Sequence, residues 1–251
     1  MTRSLLNVAA LAKSFDGVTA VRDVSFAVAP GEMVAMIGPN GAGKTTCFNL
    51  IHGELAADRG EVTFDGRSIL GLPTHAIARR GVGRTFQVAA TFASMTVRES
   101  IALALAAHDG DDSAIVSGRL RPTSARAGAL LALLRIDDLA DAHCAALAYG
   151  DAKRLELALA IAGAPRLLLM DEPTAGMNTR SRRDLMELVT DIARRDGVAV
   201  FFTEHDMDIV FGFADRIIVL DRGRVIASGT PHAIRANRDV QAAYLGFEDP
   251  V

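Results

Sequence analysis

One glycine-rich segment of the chain also carries a lysine and a threonine at a spacing that suits phosphate chemistry. Residues 38–45 read Gly-Pro-Asn-Gly-Ala-Gly-Lys-Thr, a full match to the pattern G-x-x-x-x-G-K-[ST]. Glycines let successive backbone N–H groups turn inward around phosphate oxygens, and a helix beginning behind them adds partial positive charge. The pattern predicts that Lys44 contacts the outer phosphates of a nucleotide and that the Thr45 hydroxyl binds Mg²⁺. The predicted nucleotide contacts of this segment are Gly38, Pro39, Asn40, Gly41, Ala42, Gly43, Lys44, Thr45 and Thr46.

Acidic residues follow two later apolar runs. Residues 167–172 read Leu-Leu-Leu-Met-Asp-Glu, and the run at 198–203 is followed by Glu-His-Asp. Ligand chemistry in doubly wound sheets lies at the carboxyl ends of strands. We therefore expect Asp171 to help hold Mg²⁺ and Glu172 to orient or deprotonate the water that attacks the γ-phosphate. His205 is predicted to touch the γ-phosphate or that water.

Each feature also has a purely structural alternative. A glycine-rich turn without a ligand, a charged strand end in solvent and a structural histidine all occur in proteins. However, only three of the 27 basic residues are lysines, and one of them falls where the pattern requires it. The presence of all three features in one chain favours the nucleotide site.

Local patterns predict the elements that hold these residues. Residues 33–37 are apolar throughout, which indicates a parallel strand buried on both faces, and a helix is predicted from Lys44 onward. A second strand, helix and strand follow residue 165, which is the pattern of a βαβ unit. Ser181 and Asp184 resemble a capping box at the start of its helix. The two halves of the site are thus predicted to lie on strands of one sheet.

The remaining segments complete an α/β fold. Short strands at 5–11, 24–28 and 61–64 with turn residues between them predict an antiparallel region, whereas residues 77–162 lose most strand signals and favour helices. A last hairpin spans about 216–228. We predict one domain over residues 1–251, with a mainly parallel P-loop NTPase core. It carries an N-terminal antiparallel β subdomain and an inserted α-helical subdomain, with predicted bounds 1–30 and 60–70 for the first and 88–162 for the second.

Composition limits the partners. The 251 residues are 50% hydrophobic, with a net charge of −3 and a pI near 6.1, so nothing favours binding to nucleic acid. No apolar run approaches the roughly 18–20 residues that cross a bilayer, and the N-terminus lacks the apolar core of a secretory signal. We expect a soluble, cytosolic chain. Cys47 and Cys144 show no metal-binding or disulfide spacing and are expected to pack in apolar surroundings.

Together these residues resemble the ATP-binding cassette family along essentially the whole chain. The resemblance implies that Glu172 is the catalytic glutamate and His205 the switch histidine. It also implies that Gln87, in the segment Gly-Arg-Thr-Phe-Gln, contacts Mg²⁺ and water and joins the core to the helical insertion. Phe15 stands where the family places the aromatic side chain that stacks on adenine, and core packing is its alternative role.

The family's signature peptide is altered here. It usually reads Leu-Ser-Gly-Gly-Gln, whereas this chain has Leu147, Ala148, Tyr149, Gly150 and Asp151. The resemblance implies that this segment begins a helix whose N-terminus faces the γ-phosphate held by a partner subunit. The alanine removes a hydroxyl donor, and the aspartate adds a negative charge. Asn178 likewise replaces the aspartate of the family's D-loop.

The resemblance also implies the assembly. Two cassettes would face head to tail, as a homo- or heterodimer, each binding Mg-ATP and each completing the other's site. Transmembrane permease subunits would contact the helical insertion and residues 88–99. The chain would then lie on the cytoplasmic face of the bacterial inner membrane as a peripheral subunit, linked only indirectly to a periplasmic solute-binding protein.

Several stretches look like the ATPase subunit of bacterial branched-chain amino-acid uptake systems, namely residues 83–87, 147–150, 175–178, 204–207 and 239–246. A cassette for urea or another amide, or for lipid export, shares much of this pattern. A soluble ATP switch acting on DNA or ribosomes is a further alternative, although such relatives usually carry a long coiled-coil insertion or a second cassette. A P-loop kinase or GTPase is disfavoured because the guanine-binding Asn-Lys-x-Asp motif is absent from the sequence.

Overall fold

Two β-sheets and the helices around them form the part of the chain that the computed structural model describes, which is residues 4–85, 93–111, 120 and 124–241. The strands are β1 (Leu6–Phe15), β2 (Val18–Val28), β3 (Met33–Ile37), β4 (Arg59–Phe64), β5 (Arg67–Ser68), β6 (Val82–Thr85), β7 (Leu167–Asp171), β8 (Ala199–Thr203), β9 (Arg216–Asp221) and β10 (Arg224–Gly229). The α-helices are α1 (Lys44–His52), α2 (Thr74–Arg79), α3 (Val97–Asp109), α4 (Ala125–Leu133), α5 (Tyr149–Ile161), α6 (Thr179–Asp196), α7 (Met207–Phe213), α8 (Pro231–Arg235) and α9 (Arg238–Val240).

The larger sheet has six strands in the order β10-β9-β3-β8-β7-β6. All neighbours pair in parallel except β10, which forms an antiparallel hairpin with β9. Every residue of β3, β7 and β8 is buried, as expected for parallel strands covered on both faces. The smaller sheet is antiparallel, with the order β2-β1-β4-β5. The predicted α/β fold class is confirmed, whereas the subdomain bounds stay a prediction.

Aromatic side chains join the two sheets. Phe201 of β8 stacks on Phe48 of α1, with ring centroids 4.6 Å apart, and contacts Phe26 of β2 at 5.0 Å. Such pairs add about 0.5–1.5 kcal/mol beyond the area they bury. The core that surrounds them is continuous from β3 to the antiparallel sheet. The helix behind the glycine-rich loop is therefore held firmly by the strands on which the site is built.

The sequence patterns did not reveal β6, which is an edge strand of the large sheet. It has only four residues, and they include a glycine and an arginine, so the apolar pattern that signals a strand is absent. Gly83 is needed there, since a Cβ at this position would lie 2.6 Å from the carbonyl oxygen of Ala160 on α5. Arg84 anchors the strand by donating to Asn49 Oδ1 at 2.7 Å.

Helices α3, α4 and α5 lie between β6 and β7 in the chain, where a helical insertion was predicted. The start of α3 carries a full capping box formed by Thr96 and Glu99. The expected capping box of α6 was wrong. Asn178 caps that helix instead, because its Oδ1 accepts the backbone N–H of Ser181 at 3.0 Å.

Both cysteines are buried and free, and burial raises the pKa of the Cys47 thiol to about 12. None of the helices in the described residues has the length and apolar character required to cross a membrane.

Candidate active site

The glycine-rich loop connects β3 to α1 and is closely surrounded. Gly43 precedes α1 in a left-handed conformation with φ of 103°, and an added Cβ would collide with the carbonyl oxygen of Ala20 on β2. A Cβ on Gly38 would collide with the carbonyl oxygen of Leu220 on β9. The loop is also tied to the β9–β10 turn by the Gly223 N–H, which donates to the Ala42 carbonyl at 2.9 Å. Only glycine fits at positions 38 and 43.

Lys44 is buried at the first position of α1, and its ammonium group stays inside the loop. Nζ donates to the carbonyl oxygens of Gly38 at 2.8 Å and Pro39 at 3.2 Å. Burial lowers the pKa of Lys44, and the negative charges of Glu172 and Asp171 oppose that shift. The carboxylates at the end of β7 are therefore close enough to the loop to act on its lysine.

Asp171 ends β7 as a buried carboxylate with 4% of its surface exposed. Oδ1 accepts the Thr203 hydroxyl at 2.6 Å, while Oδ2 has no hydrogen-bond partner among the described residues. Leaving such an acceptor unsatisfied costs about 1–3 kcal/mol. A cation or its bound water would satisfy this oxygen, so the residues present fit a hard metal ion with oxygen ligands. Thr45, the other predicted metal ligand, is exposed in the first turn of α1.

Glu172 and His205 meet at the ends of neighbouring strands. Glu172 Oε1 lies 2.7 Å from His205 Nε2, and the two side chains are 27% and 42% exposed, so a substrate can reach them. Glu172 has a φ of 49°, a left-handed conformation that is uncommon for residues other than glycine. Its backbone N–H donates to the hydroxyl of Thr203 at 3.0 Å, which helps to hold this turn.

Sequence reasoning missed Glu204. It is 3% exposed, and its Oε1 accepts both the N–H and the hydroxyl of Thr174, at 2.9 and 2.7 Å. Oε2 accepts the N–H of His205 at 3.2 Å. The available signal was an acid placed directly after the apolar run of β8, in the same way that Asp171 ends β7.

The altered signature segment begins α5 and packs on the chain that follows β7. The N-cap position is Ala148, which makes no side-chain capping bond, and Asp151 lies in the first turn. The Tyr149 hydroxyl donates to the Ala175 carbonyl at 2.8 Å. A Cβ on Gly150 would be 3.8 Å from the terminal methyl of Met177. The segment is thus positioned against residues 175–177 of its own chain.

Two further residues were predicted for the site. Phe15 is 42% exposed at the end of β1, with Lys13 Nζ 5.5 Å from its ring centroid, so it does not belong to the core. Gln87 lies outside the described residues.

The fold and these groups define a class of protein. At one end of the parallel strands lie a glycine loop leading into a helix and a lysine inside that loop. The same end holds a buried acid with one oxygen unpaired among the described residues, and a partly exposed Glu–His pair. This arrangement is that of a P-loop protein that hydrolyses a nucleoside triphosphate.

Comparison with known proteins identifies the family. A family model described as ABC transporter matches residues 21–175, and a shorter one described as branched-chain amino acid ATP-binding cassette transporter matches residues 224–246. The chain is 39% identical to the high-affinity branched-chain amino acid transport ATP-binding proteins BraF of Pseudomonas aeruginosa and LivG of Escherichia coli, covering 98% of this chain and 99% of each relative. A probable branched-chain amino acid transport ATP-binding protein of Archaeoglobus fulgidus is 36% identical over 98% of this chain and 96% of its own length.

Solved structures agree with the sequence comparison. The ADP conformation of an ATP-binding cassette of an ABC transporter superposes with a TM-score of 0.86 at 28% identity, covering 98% of this chain and 100% of that one. A nucleotide-free cassette superposes with a TM-score of 0.85 at 27% identity and the same coverage. The chain belongs to the ABC transporter family and is one of its ATP-binding cassettes, which are ATPases.

Proposed function

We propose that this chain binds Mg-ATP and hydrolyses it to power import of branched-chain or other hydrophobic amino acids through separate membrane permease subunits. The observation that carries the proposal is the near full-length identity of 39% to two branched-chain amino acid transport ATP-binding proteins. The match of residues 224–246 to a model of the same transporter class agrees with this proposal, and that segment lies outside the general cassette match.

The glycine loop holds the triphosphate. Its backbone N–H groups and the N-terminus of α1 bind phosphate oxygens, and the Lys44 ammonium exchanges its two carbonyl partners for the outer phosphates. The Thr45 hydroxyl and the free oxygen of Asp171 hold Mg²⁺, which neutralises charge on the phosphates. Phe15 is exposed and pairs with β2, the strand that contacts the glycine loop at Gly43, and it stacks on adenine.

The Glu172–His205 pair acts on water. Glu172 accepts a proton from the attacking water, and its contact with His205 Nε2 fixes the direction of the carboxylate. Both side chains are partly exposed at the edge of the sheet where the γ-phosphate would lie. Gln87 is proposed to contribute to the same step from the connection to the helical insertion.

A second cassette completes the site. In the head-to-tail dimer, residues 147–151 face the γ-phosphate bound by the partner subunit. Ala148 offers no hydroxyl donor there, and Asp151 places a carboxylate in the first turn of α5. This carboxylate favours the helix N-terminus but repels a phosphate approaching it.

Replacing Asp151 with glutamine should raise dimer-dependent turnover by up to about fivefold, because two like charges about 4 Å apart in water repel by about 1 kcal/mol. ATP affinity of the isolated chain should stay unchanged, since the segment faces the partner and not its own loop. ATPase rates at several protein concentrations and nucleotide titrations measure the two effects. Asp138→Gln, which removes an exposed aspartate elsewhere in the helical region, is the matched control. A changed affinity in the isolated chain would contradict the proposed geometry.

The permease is proposed to dock on the helical insertion, which carries a cavity on the side that faces β6. The cavity has a volume of about 570 Å³ and lies between α2, β6, α3 and α5, with His75, Arg79, Ala104, His108 and Pro165 among its lining residues. The expected contact surface also includes residues 88–99, which lie in the chain between β6 and the first turn of α3 and of which only 93–99 are described. The chain would be held peripherally at the cytoplasmic face of the bacterial inner membrane, and a periplasmic solute-binding protein would reach it only through the permease.

Co-purification tests this assembly. A tagged chain recovered from detergent-solubilised membranes of its own host should bring down permease subunits and a cassette, identified by mass spectrometry. Uptake of labelled leucine and of labelled urea should be measured in a host with and without the chain. The solute whose uptake falls when the chain is missing is the one transported. Recovery with ribosomes or DNA and no membrane subunit would overturn the transport proposal, and export of lipid without amino-acid uptake would overturn the solute.

A further inference from the structure

The pairing of β7 with β8 stops just before the proposed catalytic pair. The last partners in the parallel register are Asp171 and Thr203. Glu172 and His205 follow on segments that no longer form a ladder, yet Glu172 Oε1 and His205 Nε2 are 2.7 Å apart. Contacts other than the strand pairing must therefore hold these two segments together.

A buried carboxylate provides that connection. Glu204 Oε1 accepts two bonds from Thr174, which is buried two residues after Glu172, and Glu204 Oε2 accepts the backbone N–H of His205. The carboxylate therefore spans the two segments, with one oxygen bound to each. Because it is 3% exposed, water competes little for these bonds.

The backbone at Glu172 needs such support. Its left-handed conformation is strained for a residue other than glycine and persists only where the surroundings over-determine it. On the N-terminal side, the Glu172 N–H donates to the hydroxyl and the carbonyl of Thr203. The bonds from Thr174 to Glu204 hold the chain after Glu172. The strained residue is thus fixed from both sides.

We propose that Glu204 is a positioning residue that sets the geometry of the Glu172–His205 pair, an inference that rests on the proposed ATP hydrolysis. It acts through the Thr174 N–H and hydroxyl on one side and the His205 N–H on the other. Its oxygens are occupied by these donors and its side chain is buried, so it does not bind the nucleotide. Loss of this connection affects the chemical step and leaves ATP binding in place.

The first test is Glu204→Gln in the full chain assembled with its partners. The amide can still offer an oxygen to Thr174, but its NH₂ group then faces the His205 N–H, donor against donor. Since a displacement of about 1 Å can cost up to 100-fold, kcat should fall about 10- to 100-fold while KM for ATP changes less than about twofold.

Glu32→Gln is the matched control. Glu32 also accepts three hydrogen bonds, from the Ala29 N–H at 2.8 Å and from Arg216 at 2.7 and 3.2 Å. It directly precedes β3, at the amino ends of the parallel strands, whereas the site lies at their carboxyl ends. This variant should lose stability in thermal unfolding and keep kcat. If both variants lower kcat equally, or if Glu204→Gln raises KM as much as it lowers kcat, the positioning role is wrong.

A second test does not depend on Glu204 itself. Thr174→Val removes the hydroxyl donor and keeps the shape, so kcat should fall, whereas Thr174→Ser keeps the donor and should restore most of the rate. The effects of residues that act as a unit are not additive. Adding Glu204→Gln to Glu172→Gln should therefore lower the residual rate no further.

The two levels of the hypothesis can fail separately. If the wild-type assembly hydrolyses ATP and Glu204→Gln is as active as wild type, the inference about Glu204 is wrong and the proposed function stands. A wild-type assembly without ATPase activity overturns the proposed function itself. Fully additive losses in the double variant would show that Glu204 acts independently of Glu172, which also contradicts the proposal.

Discussion

Lys44→Ala should bind Mg-ATP about 10- to 100-fold more weakly than the wild-type chain. The ammonium is buried inside the loop, where it donates to two backbone carbonyls. In the complex it would form charge-assisted bonds to phosphates, each worth about 1.5–3 kcal/mol, and about 1.4 kcal/mol corresponds to tenfold in affinity. Alanine removes this charge and leaves the glycine backbone in place, so the loss falls on binding.

Thermal unfolding with and without nucleotide measures this loss. At an ATP concentration about 100 times the wild-type Kd, binding stabilises the wild type by about 2.7 kcal/mol, which is a shift of about 5–10 °C for a chain of this size. A 100-fold weaker variant gains only about 0.4 kcal/mol at the same concentration, or about 1 °C. Arg195→Ala, which removes an exposed charge paired with Asp196 at the end of α6, should keep the full shift. Equal shifts in wild type and Lys44→Ala would refute the phosphate-loop role.

Glu172→Gln should bind ATP normally, hydrolyse it about 10²- to 10⁴-fold more slowly, and accumulate a dimer that holds nucleotide. The range is that of a positioned general base. Glutamine has almost the same shape and can still contact His205 Nε2, but it cannot accept a proton from water. The phosphate loop, Lys44 and Asp171 are untouched. Because ATP still binds but is hydrolysed slowly, the dimer that holds nucleotide persists.

Single-turnover hydrolysis and size-exclusion chromatography in ATP test both parts of this prediction. Glu187→Gln, on the exposed face of α6, removes the same charge away from the site and should behave as wild type. Normal turnover in Glu172→Gln would transfer the role of the base to His205. Loss of ATP binding instead of hydrolysis would mean that Glu172 serves the phosphate loop.

Local sequence signals carried much of the site. The loop 38–45 needs glycines where the backbone has a positive φ and lies close to other atoms, as it does at Gly43. The apolar runs of β3, β7 and β8 are buried as predicted, because strands covered on both faces need no polar alternation. These features depend on neighbouring residues, so they are readable from the chain alone.

Other features depended on contacts between distant segments. The strand β6 carries no local signal, and its place is set by the close approach of Gly83 to α5. Glu204 has an ordinary position in the sequence, and its role follows from Thr174, 30 residues away. The capping residue of α6 was also misassigned, because Asn178 and Ser181 are both good cap residues and local pattern does not choose between them.

The sequence by itself determined that this protein has a phosphate-binding loop, a strand ending in Asp171 and Glu172, and the residues of an ABC cassette. Only the tertiary structure decided that β8 lies between β3 and β7, since strand order is set by packing over long separations and not by local propensity. That order brings His205 to Glu172 and buries Glu204 between their segments. The chemistry of each group is thus encoded locally, whereas the distances that let them act together arise from the folded sheet.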